Sequence, residues 1–150
     1  MGRWLSLLLF LVLVVGGGLA IGLVTGPGEW YVALAKPSFN PPPWVFGPVW
    51  TVLYILIAFA GWRIWRIERG GPAMVVWWVQ LALNFMWSPT FFLAGDLLLA
   101  LVILLAMLGA IVAFLGLARN IDPLASWLFV PYALWVAFAG ILNASIWWLN

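Results

Sequence analysis

The chain contains no cysteine and no histidine. Without cysteine it can form no disulfide and can carry out no thiol redox chemistry. It also lacks the side chains that make His or Cys metal sites, and the usual axial ligands of haem iron. The sequence therefore predicts no metal site and no resident cofactor.

Charge is also scarce, because only 7% of the 150 residues are charged, whereas soluble domains carry about 25%. The charges leave five uncharged stretches: residues 4–28, 37–62, 70–95, 97–118 and 123–150. Each stretch is long enough for the ~20 residues that a membrane-spanning helix needs. The predicted fold is an all-α membrane protein, a bundle of five transmembrane helices that forms one domain over residues 1–150.

The expected helix boundaries follow from these stretches. The five helices are predicted at roughly 4–24, 44–66, 73–92, 97–118 and 124–148, with one long loop at 25–43. Within that loop, WYVALAK is expected to form a short helix on the bilayer surface, with Trp30 and Tyr31 at headgroup level. Asp96 and Asp122 are expected to cap the last two helices.

The distribution of charge predicts an orientation in the membrane. All five arginines fall on one side of the predicted bundle: Arg3, Arg63, Arg66, Arg69 and Arg119. Only Lys36 falls on the other side. By the positive-inside rule, the N-terminus is predicted to be cytoplasmic, and the long first loop and the C-terminus are predicted to face outside.

Tryptophan is abundant, with thirteen in the chain. An aromatic belt at the membrane surfaces explains those near helix ends, but it explains Trp50, Trp87 and Trp135 less well. At a rise of ~1.5 Å per residue, Trp50 lies roughly 9 Å from the outer surface, and Asn84 and Trp135 lie about 13 Å from it. Trp50, Asn84, Trp87 and Trp135 are therefore predicted to share one layer beneath the long loop.

Polar side chains repeat at helical spacing in the same layer. In the third predicted helix, Gln80, Asn84 and Ser88 share one face, which Trp87 and Phe91 flank. Polar side chains inside a membrane face the bundle rather than lipid. Taken singly, these amides are interpreted as hydrogen-bond partners between helices. Taken together with the aromatic residues, they are interpreted as the wall of a ligand cavity.

Two neighbouring helices carry matching stripes. They are Phe46, Trp50 and Tyr54 on the second helix, and Tyr132, Trp135, Ala139 and Asn143 on the fifth. Three stripes at one depth predict a mostly apolar pocket with a few polar groups. Ala139 and Gly140 are small and are expected to leave room in it. Such a pocket can stack on a flat aromatic ligand and form hydrogen bonds with it.

Side chains for acid–base chemistry are missing from the predicted spans. No carboxylate or lysine lies at mid-membrane depth, which disfavours an ion-coupled pump. No nucleophile–base pair and no phosphate-binding loop is visible. The sequence assures no catalytic residue.

Three long motifs resemble the TspO/translocator protein family, whose members are also called tryptophan-rich sensory proteins or peripheral-type benzodiazepine receptors. They are WYVALAKPSFNPPPWVFGPVWTVLY, QLALNFMWSPTFF and FVPYALWVAFAGILN. The resemblance covers the whole chain in order. It implies a five-helix bundle, usually a homodimer, that binds porphyrins such as protoporphyrin IX and synthetic ligands of the benzodiazepine-receptor class. The short termini are typical of a bacterial member.

The resemblance also implies particular site residues. Tyr31, Trp50, Asn84 and Trp135 match the positions that line the ligand pocket, and Ala139 matches a small position near the ligand. Some bacterial members degrade protoporphyrin in light, and Trp50 and Trp135 match the tryptophans implicated there. The end of the last helix, ILNASIWWLN, lacks the cholesterol-recognition pattern of animal members.

The complete predicted ligand site contains thirteen residues. They are Trp30, Tyr31, Phe46, Trp50, Tyr54, Gln80, Asn84, Trp87, Phe91, Tyr132, Trp135, Ala139 and Asn143. The expected partners are a porphyrin, benzodiazepine-receptor-type ligands, the lipid bilayer and a second copy of the chain, with no nucleic acid.

Four functions are compatible with this sequence. The favoured one is a membrane receptor or carrier that binds tetrapyrroles and serves porphyrin sensing, transport or disposal. One alternative is an enzyme that degrades protoporphyrin IX using light and oxygen. Another is a small multidrug or metabolite transporter, and the last is a structural bundle whose tryptophans only anchor it.

Overall fold

The computed structural model describes residues 1–150, and it contains helices and no strands. The helices are α1 (Arg3–Thr25), α2 (Glu29–Ala33), α3 (Pro43–Ile67), α4 (72–93), α5 (Leu97–Ala118) and α6 (Pro123–Leu149). Two of them contain a π-helical turn, at Val12–Gly16 in α1 and at Pro89–Leu93 at the end of α4. The long helices begin and end within one residue of their predicted limits.

The predicted helix caps are confirmed. The Asp96 carboxylate accepts a hydrogen bond of 2.9 Å from the Leu99 N–H at the start of α5. The Asp122 carboxylate accepts hydrogen bonds from the N–H groups of Leu124 (3.1 Å) and Ala125 (3.4 Å) at the start of α6. Each aspartate satisfies donors that a helix N-terminus leaves free.

The membrane assignment is confirmed for four helices. By length and composition, α1, α3, α5 and α6 can each cross a bilayer, so the chain is an integral membrane protein. The α4 helix is not among these four, because Gln80, Asn84 and Ser88 interrupt its apolar sequence. A fifth transmembrane span at α4 therefore stays a prediction.

The long helices pack side by side in a closed order. Helix α1 lies beside α3, α3 beside α6, α6 beside α5, and α5 beside α4, which returns to the second half of α1. Aromatic residues fill the centre, as where Phe114 of α5 and Phe129 of α6 have ring centroids 4.1 Å apart. Any residue that faces this centre is shielded from lipid, which allows polar side chains there.

Aromatic and ionic contacts gather the arginines at one end of the bundle. The Arg63 Nε donates to Asp122 Oδ2 over 2.6 Å, which joins α3 to the start of α6. The Arg3 and Arg66 guanidinium groups lie 5.8 and 5.0 Å from the Trp62 ring centroid. The membrane side that this end faces stays a prediction.

The electrostatics of the Arg63–Asp122 pair favour the ionised carboxylate. Burial alone raises the pKa of Asp122, but the Arg63 hydrogen bond and charge oppose it, helped by the N–H groups of Ala125 and Leu124. The net result is a pKa below the ordinary aspartate value. At neutral pH the pair is therefore fully charged, and it holds α3 against α6.

Candidate functional site

An aromatic wall lies between α3 and α6. The rings of Trp50 and Tyr54 are stacked, with centroids 5.4 Å apart and planes 30° apart. Trp50 also meets Tyr132 edge to face at 6.4 Å, and Phe46 meets Trp135 edge to face at 5.9 Å. Because helical residues four apart share a face, Phe46, Trp50 and Tyr54 present one continuous aromatic stripe to α6.

A chain of hydrogen bonds crosses the bundle behind this wall. The Tyr54 hydroxyl donates to Asn84 Oδ1 (3.2 Å), and Asn84 Nδ2 donates to the Tyr132 hydroxyl (2.7 Å). The Tyr132 hydroxyl in turn donates to Gln80 Oε1 (2.8 Å). Gln80, Asn84 and Tyr132 are all buried. The chain therefore links α3, α4 and α6 through residues that were predicted to form a polar layer.

Two buried donors in this region have no hydrogen-bond partner: Gln80 Nε2 and the Trp135 indole Nε1. A buried N–H group without a partner costs about 1–3 kcal/mol. Trp135 itself is only partly buried, and its ring packs against Phe46 and Phe138. Its indole N–H is therefore a donor available to an acceptor atom that enters the aromatic wall.

A second aromatic cluster lies beneath the long loop. The Tyr31 ring on α2 is 6.0 Å from Phe91 and 5.2 Å from Phe92, both in the π-helical turn of α4. Trp30 lies edge to face with Phe91 at 6.3 Å, and Trp87 lies 5.2 Å from Phe91. The loop is therefore attached to the bundle through aromatic contacts.

Asn143 joins neighbouring helices, and its amide has no unbonded polar atom left for a ligand. Its Oδ1 accepts from the Trp87 indole N–H over 3.1 Å, and its Nδ2 donates to the Leu97 carbonyl over 2.9 Å. Both atoms of this buried amide are therefore engaged in bonds to α4 and α5. Of the two interpretations of the amides, hydrogen bonding between helices describes Asn143 better.

Two polar side chains hold the loop in place, and the sequence contained no signal for them. The Lys36 ammonium donates to the carbonyls of Tyr31 (2.7 Å), Val32 (3.3 Å) and Leu34 (3.1 Å), which closes the end of α2. The Asn150 amide pairs with both the N–H and the C=O of Ala35, each at 3.0 Å. Lys36 within the loop and Asn150 at the C-terminus thus fix the loop over the second cluster.

The small residues of α6 take different positions. Ala139 is partly buried one turn beyond Trp135 and packs against the core. Gly140 is buried against α5, where a Cβ atom would lie 3.1 Å from a Leu104 methyl group. The expectation that Gly140 leaves room in a pocket was wrong, because helix packing already uses that space.

The thirteen predicted site residues form two groups. Phe46, Trp50, Tyr54, Gln80, Asn84, Tyr132 and Trp135 form the aromatic wall and its hydrogen-bond chain, and Trp30, Tyr31, Trp87, Phe91 and Asn143 lie beneath the loop. Ala139 lies between them on α6. Sequence reasoning missed Met107 of α5, whose sulfur lies 3.4 Å from the Tyr132 hydroxyl. An apolar residue in a uniformly apolar helix gives no signal of such a contact.

The chemistry of the region is that of binding. No group of three or more acidic side chains could hold a metal ion. The polar atoms are phenol hydroxyls, carboxamides and indole N–H groups, none of which is a strong acid or base at neutral pH. Flat rings with a few fixed donors and acceptors suit an apolar ligand with polar edges.

Replacing Asn84 by leucine is expected to lower the unfolding free energy by about 1–3 kcal/mol, because the hydroxyls of the partly buried Tyr54 and the buried Tyr132 each lose a partner. Thermal unfolding in detergent, followed by circular dichroism, measures the change. Asn143→Leu is the matched control for stability, since it also removes an amide that bridges two helices. Ligand affinity separates the two variants, because only Asn84 contacts the aromatic wall. Equal ligand affinity in both variants would leave Asn84 with a packing role alone.

The sequence is also similar to known proteins of one family. The model of the TspO/MBR family matches residues 9–149. Protein CrtK of Rhodobacter capsulatus is 38% identical, with 97% of this chain and 95% of that protein covered. The tryptophan-rich sensory protein of Cereibacter sphaeroides is 37% identical, with 98% and 92% covered. The human translocator protein is 42% identical, with 83% and 77% covered.

Proposed function

Since this chain belongs to the TspO/MBR family, we propose that it is a membrane receptor or carrier that binds a tetrapyrrole such as protoporphyrin IX. The proposed site is the aromatic wall of α3 and α6 together with the hydrogen-bond chain behind it. The proposed role is porphyrin sensing, transport or disposal. Synthetic ligands of the benzodiazepine-receptor class, which are also aromatic, are proposed to compete for the same site.

The unpartnered indole N–H of Trp135 is the observation that carries this proposal. A buried donor without a partner is costly, and a ligand acceptor that reached it would remove that cost. Trp135 stands in the same wall as Trp50 and Tyr54, whose stacked rings offer a surface for a planar macrocycle. A porphyrin combines an aromatic plane with carboxylate edges, so it can use both features.

The Tyr54–Asn84–Tyr132–Gln80 chain supports the proposal in a second way. It fixes the phenol rings of Tyr54 and Tyr132, and Trp50 packs on both. A side chain whose rotamer is locked loses little further entropy when a ligand binds. The wall is therefore prepared for a rigid ligand before that ligand arrives.

Titration of the purified protein with protoporphyrin IX tests the proposal. Wild type is expected to show saturable quenching of tryptophan fluorescence. Trp135→Phe is expected to bind roughly tenfold more weakly, because it loses one hydrogen bond to a charged acceptor. Trp148→Phe is the control, since Trp148 is 82% exposed at the end of α6 and is expected to leave the affinity unchanged. Quenching that does not saturate in wild type would refute porphyrin binding.

We also propose that the chain forms a homodimer with its N-terminus in the cytoplasm. The small residues Ala106 and Gly109 are exposed on α5, and no atom lies within 4 Å of a Cβ placed on Gly109, so another helix could approach there. Gly18 is not available in this way, because it is buried against Tyr54 of the same chain. The arginines at one end of the bundle support the orientation.

A further inference from the structure

A groove runs along the outer surface of the bundle between α5 and α6, at the end where the arginines gather. Its volume is about 480 Å³, and most of its wall is apolar. Its lining includes Val112, Leu115, Gly116, Arg119, Trp127 and Val130. None of them belongs to the aromatic wall or to the cluster beneath the loop, so the groove is separate from the proposed porphyrin site.

The only charged residue that lines the groove is Arg119, at the end of α5. Its side chain is exposed and makes no ion pair, because the one ion pair of the structure joins Arg63 to Asp122. The nearby Asp122 carboxylate is therefore already committed, to Arg63 and to the start of α6. The Arg119 guanidinium, which has no ionic partner, therefore lies at one end of an apolar groove.

The position of the groove fits the surface of a membrane. Both of its walls belong to helices that can span a bilayer. Trp127 is 70% exposed beside Arg119, which is the arrangement of tryptophan and arginine found at headgroup depth. The side chains of Val112 and Val130 continue the groove away from this end, toward the hydrocarbon.

We propose that this groove binds an anionic phospholipid. The lipid phosphate pairs with the Arg119 guanidinium, and one acyl chain lies along Val112, Leu115 and Val130. Gly116 makes space for that chain, because nothing lies within 4 Å of a Cβ placed there. A guanidinium is well suited to a phosphate because its donors match two phosphate oxygens at once.

Charge and shape together favour a phospholipid over other occupants. A second copy of this chain could cover the apolar wall, but all five arginines lie at this end, so a symmetric partner would bring more positive charge toward Arg119. A free phosphate ion would use Arg119 and leave the apolar wall in contact with bulk lipid. Only a molecule with an anionic head and an apolar chain uses both parts of the groove.

Native mass spectrometry in detergent, with phosphatidylglycerol and phosphatidylcholine of the same acyl chains, tests the proposal. Wild type is expected to retain phosphatidylglycerol about fivefold more than phosphatidylcholine, the preference expected of one arginine near anionic lipid. Arg119→Gln is expected to abolish that preference. Gly116→Leu is expected to reduce retention of both lipids, because its side chain occupies space in the groove, where nothing lies within 4 Å of an added Cβ.

Matched variants make the outcome specific. Arg66→Gln removes the same charge at the same end, outside the groove, and Gly22→Leu makes the same exchange at another open position. Both controls are expected to retain lipid as wild type does. The proposal is overturned if Arg119→Gln keeps the preference, or if Arg66→Gln loses it equally. It is also overturned if Gly116→Leu only changes the oligomeric state.

Two soluble compounds separate the lipid from its headgroup. Glycerophosphoglycerol and inorganic phosphate are added at the concentration at which phosphatidylglycerol binds. Neither is expected to displace the lipid, because neither can fill the apolar wall. Full displacement by either compound would identify a site for free anions and would overturn the proposal. This experiment contains no porphyrin, so its result is independent of the proposed function.

Discussion

Asp122→Ala is expected to lower the unfolding free energy by about 2–4 kcal/mol. The substitution leaves the Arg63 guanidinium without its partner and leaves the first N–H groups of α6 without their acceptor. Arg63 is 32% exposed and Asp122 is 8% exposed, so water recovers only part of the lost interaction. Unfolding in detergent, followed by circular dichroism, measures the change.

Asp96→Ala is the matched control, because Asp96 caps α5 through a single N–H group and makes no ion pair. It is expected to cost about 1 kcal/mol, the usual contribution of a helix cap. Acid provides a second control. The folded state lowers the pKa of Asp122, so its contribution is complete above the ordinary aspartate pKa and is lost as the pH falls through the lowered value. The unfolding free energies of wild type and Asp122→Ala should therefore become equal in strong acid. If Asp96→Ala and Asp122→Ala lost the same stability at neutral pH, the proposed contribution of the ion pair would be contradicted.

Gly18→Ala is expected to lower both the stability of the protein and its affinity for protoporphyrin IX. A Cβ on Gly18 would overlap the Tyr54 ring, which must then move. Overpacking of this kind costs about 1–3 kcal/mol. Displacement of Tyr54 also disturbs its stack on Trp50 and its hydrogen bond to Asn84. Thermal unfolding and porphyrin titration measure the two effects.

Gly22→Ala is the matched control, one helical turn further along α1. Nothing lies within 4 Å of a Cβ placed there, so the protein is expected to be as stable as wild type or slightly more stable, because alanine favours helix more than glycine does. The two alanine variants also test whether Gly18 and Gly22 form an interface with a second copy of the chain. If Gly18 and Gly22 formed one interface with a second copy, both variants would weaken the dimer, and the account of Gly18 as a site for Tyr54 would fail.

The helices could be predicted from the sequence because few backbone conformations are stable inside a membrane. A chain in lipid must satisfy its backbone internally, so uncharged stretches of sufficient length become helices, and their ends follow from the charges. The caps at Asp96 and Asp122 were predictable because a helix start has free N–H groups. Helical spacing also predicted that Trp50, Tyr54 and Tyr132 face inward, and in the structure they contact one another.

Other features depend on contacts between distant parts of the chain, which periodicity does not report. Arg63 and Asp122 are 59 positions apart, and nothing local marks them as partners. Helical spacing predicted the same role for Asn84 and Asn143. In the structure, both polar atoms of the Asn143 amide form hydrogen bonds, to Trp87 and Leu97, whereas Asn84 binds Tyr54 of the aromatic wall. Gly140 was predicted to leave space, but only the packing of α6 on α5 determines which neighbour fills it.

The visible absorption of protoporphyrin IX tests the central claim most directly, because it reports the ligand and not the number of tryptophans. Wild type and the double variant Trp50→Phe/Trp135→Phe are titrated in darkness, and circular dichroism confirms that both are folded. A saturable spectral change is expected in wild type. The double variant is expected to need at least about tenfold more porphyrin for the same change, because it lacks the Trp135 indole N–H that is proposed to donate to the ligand. The same saturable change in both proteins would contradict the account and would place any porphyrin elsewhere on the bundle.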